Sequence, residues 1–290
     1  MVRTSKGGRM PLIFVPTPLG NLRDVTLRSL EVLRECTLLV AEDSRVARKL
    51  LQALALPGKE IWTYQEHNAR AAAPGILERA KTELVAVVTD AGTPGISDPG
   101  NELVAAARAA GIPVQVLPGP SALIGAAVLS GFPMRRFTFE GFAPRAGKSR
   151  KEAFTRAFSS GCASIWYESP HRVRAALADI AQVDADARVF LLREYTKHFE
   201  EHIEGTAAQV LERLADPVRG EIALVVMPSA LASPPLEDIG EQIESLLDQG
   251  HSVSEIARSL SERGYGDRRA IYQLTAARKR ARREEGPAPR

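Results

Sequence analysis

Asp90-Ala-Gly-Thr-Pro-Gly-Ile-Ser-Asp-Pro-Gly100 contains three glycines, two prolines and one strongly apolar residue, Ile96. Such a run fixes a backbone and fills no core. It follows Leu84-Val-Ala-Val-Val-Thr89, a short β-branched stretch of the kind that forms a buried strand, and precedes the Ala-rich helical segment Asn101 to Ala110. The order is strand, rigid loop, helix. In an open α/β sheet ligands bind beyond the carboxyl ends of the strands, where this loop falls. Glycine permits close approach of backbone to a ligand and proline holds that approach rigid.

Working outward, apolar β-rich runs at Leu12 to Val15, Thr37 to Val40, Ile61 to Tyr64, Leu84 to Val88 and Val114 to Leu117 alternate with helical patterns at Thr26 to Glu35, Arg45 to Ala55, Ala69 to Lys81 and Asn101 to Ala110. This alternation predicts a mostly parallel sheet covered on both faces, ending near Pro118. Beyond it, strand-like runs (Arg136 to Gly141, Ala163 to Tyr167, Arg188 to Leu192, Glu200 to Gly205, Glu221 to Met227) and helices (Lys151 to Phe158, Ser169 to Ala181, Thr206 to Leu214) predict a mixed sheet. Pro228 to Pro235 reads as a linker, followed by helical segments at Leu236 to Gln249, Ser252 to Arg263 and Asp267 to Arg283, punctuated by Gly250 and Gly264. The expected organisation is α/β over 11–118, α/β over 119–228 and a small helical domain over 236–283.

Composition narrows the function. The 290 residues are 44% hydrophobic, and 38 basic against 35 acidic residues leave a net charge of +3, so nucleic-acid affinity must be local. Cys36 and Cys162 stand alone, which excludes a disulfide or zinc framework and fits a reducing cytoplasm. The basic start, Met1 to Arg9, leads into an apolar run too short for a signal-peptide core, and no stretch approaches a membrane span.

Two further loops end strands: Pro16-Thr-Pro-Leu-Gly-Asn-Leu-Arg-Asp24, without a G-x-G-x-x-G, and Leu117-Pro-Gly-Pro-Ser-Ala122, with Ser121 placed as an N-cap. With the central loop they should converge on one edge. These blocks, together with Ala41-Glu-Asp-Ser-Arg45, His67-Asn68, Glu140-Gly-Phe142, Tyr167-Glu-Ser-Pro-His-Arg172 and Arg193-Glu-Tyr-Thr-Lys197, resemble the RsmI family of 16S ribosomal RNA cytidine 2′-O-methyltransferases, a branch of the tetrapyrrole-methylase-like enzymes. The likeness spans about residues 11 to 228. Ser44 stands for the family's usual Thr and Tyr195 for its more frequent Leu.

The resemblance implies two α/β domains of tetrapyrrole-methylase type, S-adenosylmethionine folded into the cleft between them, and a homodimer acting on 16S RNA in the 30S subunit. Carried over by motif, the cofactor contacts are Leu19, Gly20, Asp90, Gly92, Thr93, Ser121, Ala122, Tyr167 and Arg193. Ribose methylation profits from alignment of the oxygen behind the methyl group and from an acceptor for its proton. The acceptor is open among Glu42, Asp43, His67, Glu168, His171, Glu194 and Lys197, with Glu168, Glu194 and His67 preferred. His67 and His171 read equally as structural hydrogen-bonders, Glu42 and Asp43 as surface charges or site residues, and Asp98 as a cap on the helix that follows it.

RNA also needs cations. Arg135 to Arg156 carries seven basic residues against two acidic, interleaved with Phe137, Phe139 and Phe142, and the loop Ala143 to Ser149 reads as flexible and basic. Arg145, Lys148, Arg150 and Lys151 are its expected phosphate contacts. Asp267 to Arg283 carries seven Lys or Arg against one Asp, and its helix-turn-helix outline offers Arg268, Arg269, Arg278 and Lys279. No metal site is indicated. The alternative function is methylation of a small, precorrin-like tetrapyrrole, which shares the fold but has no use for the basic tail.

Overall fold

A computed structural model describes residues 11–229, 236–262 and 265–284. The basic N-terminal segment, most of the expected linker (230–235) and Gly264 lie outside the described residues. The chain divides into two compact units, one running to Leu129 and joined by Leu192–His202, the other made of Ser130–Leu191 and Ile203 onward.

In the first unit β1 (Leu12–Phe14), β2 (Leu38–Ala41), β3 (Glu60–Thr63), β4 (Val85–Val88) and β5 (Val114–Val116) form one sheet in the order β3-β2-β4-β1-β5. Every pairing in it is parallel. Successive strand residues point to opposite faces. Ile13, Leu39 and Ala86 therefore pack with Val32 and Leu33 of α1 (Leu27–Glu35) and with Ala47 and Leu51 of α2 (Ser44–Ala53). Leu12, Phe14, Val40 and Val87 pack on the other side with Ile76 of α3 (Ala69–Ala80) and Leu103 of α4 (Asn101–Ala109). Burial on both faces explains why the central strands read as unbroken apolar runs rather than as alternating ones. The small-residue segment after β5 is helical, α5 (Ala122–Leu129), and stays with this unit beyond residue 118.

The second unit carries β6 (Phe137–Phe142), α6 (Gly147–Phe158), β7 (Ala163–Glu168), α7 (Val173–Val183), β8 (Arg188–Arg193), β9 (Glu201–Thr206), α8 (Ala207–Arg213) and β10 (Ile222–Met227). Its sheet runs β6-β7-β10-β8-β9, with β6 parallel and β10 antiparallel to β7, so it is mixed as the sequence predicts. Phe154, Leu177, Val210, Trp166, Leu191 and Leu224 belong to one core that binds α6, α7 and α8 to it. α9 (Leu236–Asp248), α10 (Val253–Glu262) and α11 (Arg268–Glu284) close over a small core of their own, built on Ile239, Ile243, Ile256, Leu260 and Ile271. No helix among the described residues is long and apolar enough to cross a membrane.

Candidate functional site

Strands β4, β1 and β5 are neighbours and parallel, so the three Gly/Pro-rich loops leave the sheet side by side. Hydrogen bonds join them into one piece. Thr17 N donates to Gly92 O (2.9 Å), Gly92 N returns to Thr17 O (3.1 Å), and the buried Thr17 hydroxyl donates to Thr89 O (3.2 Å). Thr93 Oγ1 donates to Pro120 O (2.9 Å), tying the central loop to the third. Gly92 takes φ +83°, and a Cβ there would stand 3.1 Å from Leu19 Cδ2. Gly119 is equally constrained, since its Cβ would lie 2.5 Å from Pro16 Cβ. Convergence of the loops, expected from the sequence, is thus built from glycines that let chain pack on chain. Ser121 precedes α5 and accepts from Gly125 N through its carbonyl (3.1 Å).

The turn between β8 and β9 completes this edge within the first unit. Asn21 N donates to Thr196 Oγ1 (3.3 Å), a Cβ on Gly20 would overlap Lys197 Cγ, and one on Gly125 would overlap the Tyr195 ring. Gly20 is therefore small for Lys197 as well as for any ligand. Glu194 and Thr196 adopt φ 52° and 65°, left-handed values that cost a non-glycine residue about 1–3 kcal/mol each. Surrounding bonds hold them there: Thr196 N to Glu200 Oε2 (2.7 Å), Lys197 N to Glu194 O (3.0 Å) and Lys197 Nζ to Glu194 Oε1 (2.9 Å). Arg193 pairs with Glu201 (2.8 Å).

Three carboxylates gather beside the loops. Asp43 N donates to Asp90 Oδ1 (3.2 Å), which draws the end of β2 to the end of β4. Burial, and then the Asp90 charge, raise Glu42; burial also raises Asp90, against an opposing backbone hydrogen bond from Asp43. Asp98 is pushed up to about 6 by burial and by the Glu42 charge. Asp43 differs because Arg45 bonds it (2.7 Å) and holds it down at about 2. Asp98 does not cap α4 as the sequence suggests: the helix starts at Asn101, its cap residue is Gly100, and no side chain bonds the exposed amides. Pro99 and Gly100 carry the chain past Asp98 before the helix begins. Asp98 was legible only as an acid in a loop, because its neighbour Glu42 lies far away in sequence.

The remaining expected residues fall elsewhere. Glu168, in the second unit, is buried, accepts from Ser169 N (2.8 Å) and pairs with Arg172 Nε (3.3 Å), with burial raising its pKa. This enclosed carboxylate holds Arg172. Tyr167 packs edge-on against Phe139 and Phe142, with ring centres 5.1 and 5.7 Å apart. His67 is exposed just before α3, while its neighbour Asn68 braces that turn by accepting from Gln65 N (2.7 Å) and donating to Thr63 O (3.1 Å).

One RNA-facing expectation is also corrected. Arg150 is buried and bonded to Asp179 of α7 (2.6 Å), and its guanidinium donates to Arg145 O (3.2 Å). That anchor draws Gly147 to Ser149 into α6, so the basic loop is shorter than the sequence suggests. Arg145 and Lys148 remain exposed, and Lys151 stands 3.6 Å from Asp179. Arg278 pairs with Glu244 (3.2 Å) and keeps part of its side chain exposed.

Residues 11–211 match the family model described as Tetrapyrrole (Corrin/Porphyrin) Methylases, so fold and loops define a methylase of that class. Solved structures agree on the fold: diphthine synthase superposes with TM-score 0.61 at 16% identity, covering 76% of this chain and 90% of that one. A cobalt precorrin-4 methyltransferase superposes with TM-score 0.59 at 17% identity, covering 77% and 97%. Proteins named ribosomal RNA small subunit methyltransferase I are much nearer in sequence. That of Xylella fastidiosa is 38% identical over 90% of this chain and 97% of its own length. That of Synechocystis sp. is 36% identical over 91% and 96%, and that of Thermotoga maritima 40% over 74% and 97%. The chain belongs to the ribosomal RNA small subunit methyltransferase I family.

Proposed function

We propose that this protein transfers a methyl group from S-adenosylmethionine to the ribose 2′-oxygen of a cytidine in the decoding region of 16S RNA, in the assembled or nearly assembled small subunit in the cytoplasm, and that it works as a homodimer. The observation that carries the reading is the set Glu42, Asp90 and Asp98 beside the three bonded loops, since carboxylates raised by burial and mutual repulsion favour a cation. S-adenosylmethionine supplies an electrophilic methyl on a cationic sulfonium. Leu19, Gly20, Asp90, Gly92, Thr93, Ser121, Ala122 and Arg193 are its proposed contacts in the first unit, with Tyr167 from the second.

The chain's own work is to align and to take a proton. A bound S-adenosylmethionine would supply the methyl group to the ribose oxygen, and a base of this chain would take the hydroxyl proton. His67 and Glu194 are first-unit groups for that step, and Asp98, ionised above about pH 6, joins them. Exposed apolar residues of α5, Ile124, Val128 and Leu129, support a surface covered by a second copy.

Tritiated cofactor offered with 30S subunits, free 16S RNA and a tetrapyrrole tests the acceptor. Label should enter the 30S RNA, and alkaline hydrolysis should leave one linkage protected, because a methylated 2′-oxygen cannot attack its phosphodiester. Label in the tetrapyrrole, or RNA label without a protected linkage, would refute the reading.

A further inference from the structure

Helix α11 divides its cations between two faces. Ile271, Thr275, Arg278 and Arg282 recur at i, i+4, i+7 and i+11, one side of an α-helix. Ile271 and Thr275 are buried, and the stripe continues as Arg278 on Glu244 (3.2 Å) and Arg282 on Asp248 (2.8 Å). A Cβ on Gly240 would come 2.6 Å from Arg278 Nη2, so α9 leaves room for that arginine to lie across it. These two arginines bolt α11 to α9.

The flank beside this stripe is different. Arg268, Tyr272 and Lys279 recur at i, i+4 and i+11, with Arg269 and Arg280 flanking them. None of these four cations forms an ion pair among the described residues, and the Tyr272 ring, 47% exposed, stands between them. An exposed aromatic costs solvation, whereas a base stacked on it would cover it. Cations on both sides match the phosphates that flank such a base.

We propose that this face binds single-stranded RNA, with Tyr272 stacking on an unpaired base and Arg268, Arg269, Lys279 and Arg280 neutralising adjacent phosphates. The inference rests on the RNA substrate proposed above and adds which form of RNA the tail reads and through which residues. A duplex offers phosphates but no free base face, so the surface discriminates between the two.

Fluorescence anisotropy of the full chain with a labelled oligouridylate of about twelve nucleotides, and with a duplex of equal length, tests it. Tyr272→Ala should weaken the single strand about ten-fold with an unchanged salt slope, Tyr272→Phe should bind as the parent does, and the duplex should be indifferent to both. Arg268→Gln with Arg269→Gln should flatten the single-strand salt slope by about 1.4. Tyr272 is a surface residue, and an unchanged melting temperature checks the fold of its variants. The surface assignment falls if Tyr272→Ala leaves single-strand affinity unchanged, if the duplex loses as much as the single strand, or if anionic lipid vesicles compete equally well. Methyl transfer to 30S subunits by an unimpaired Tyr272→Ala variant would sink this surface alone. Single-strand binding through Tyr272 without transfer to 30S subunits would instead sink the proposed activity alone.

Discussion

Lys197 lies across the Cα of Gly20, 177 positions earlier in the chain, so closely that any side chain at position 20 would overlap its Cγ. The contact joins the first loop of the parallel sheet to the turn between β8 and β9. Two blocks that look independent in sequence are thus one structural unit.

Replacing Gly20 by Ala should destabilise the protein by about 1–3 kcal/mol, the usual cost of overpacking. Lys197→Ala removes the clashing methylenes, so the double variant should recover much of that loss. A double-mutant cycle by denaturant unfolding measures the coupling. Additive effects would show that the two residues do not meet.

Gly92→Val places a β-branched residue at φ +83° and against Leu19. The left-handed backbone alone costs about 1–2 kcal/mol. Because the central loop is bonded to both neighbouring loops, its displacement should lower cofactor affinity about ten-fold or more. Calorimetric titration of the folded variant decides the matter, and undiminished affinity would move the cofactor away from this loop.

Asp98 gives stability a pH dependence of definite sign. Its carboxyl titrates near 6 in the native protein against an ordinary value of 3.8, so the native state holds the proton more tightly. Stability from this group is present below about pH 4 and is lost as pH rises towards 6, by about 1–2 kcal/mol after solvent screening. Asp98→Asn should therefore stabilise at pH 7.5 and not at pH 4, while weakening cofactor binding, because the sulfonium loses a counter-charge. Melting curves at the two pH values, paired with titrations, check both parts.

Arg150 and its neighbours separate folding from RNA affinity. Asp179→Asn leaves a buried guanidinium without its charge partner and should cost about 3 kcal/mol. Arg145→Gln and Lys148→Gln, at exposed positions, should leave the melting temperature alone and reduce the salt dependence of 30S binding. The reverse pattern would return Arg150 to the RNA-facing set.

Local order carried much of this protein. Continuous apolar runs such as Leu84 to Val88 could be satisfied only by burial on both faces, which required a parallel sheet with helices on each side. Gly/Pro loops at three strand ends marked the edge proposed for the ligand, and eight short blocks marked the family. What required the folded chain was every property that depends on a distant partner. Burial beside Glu42 raises Asp98, and a carboxylate on another helix makes Arg150 a core ion pair rather than a phosphate contact. Likewise the charge count of α11 gives one basic helix, and only its packing on α9 separates the arginines that hold the bundle from those that face solvent. Charge and propensity are properties of a residue and its near neighbours, but desolvation and pairing are set by whatever the fold brings against it.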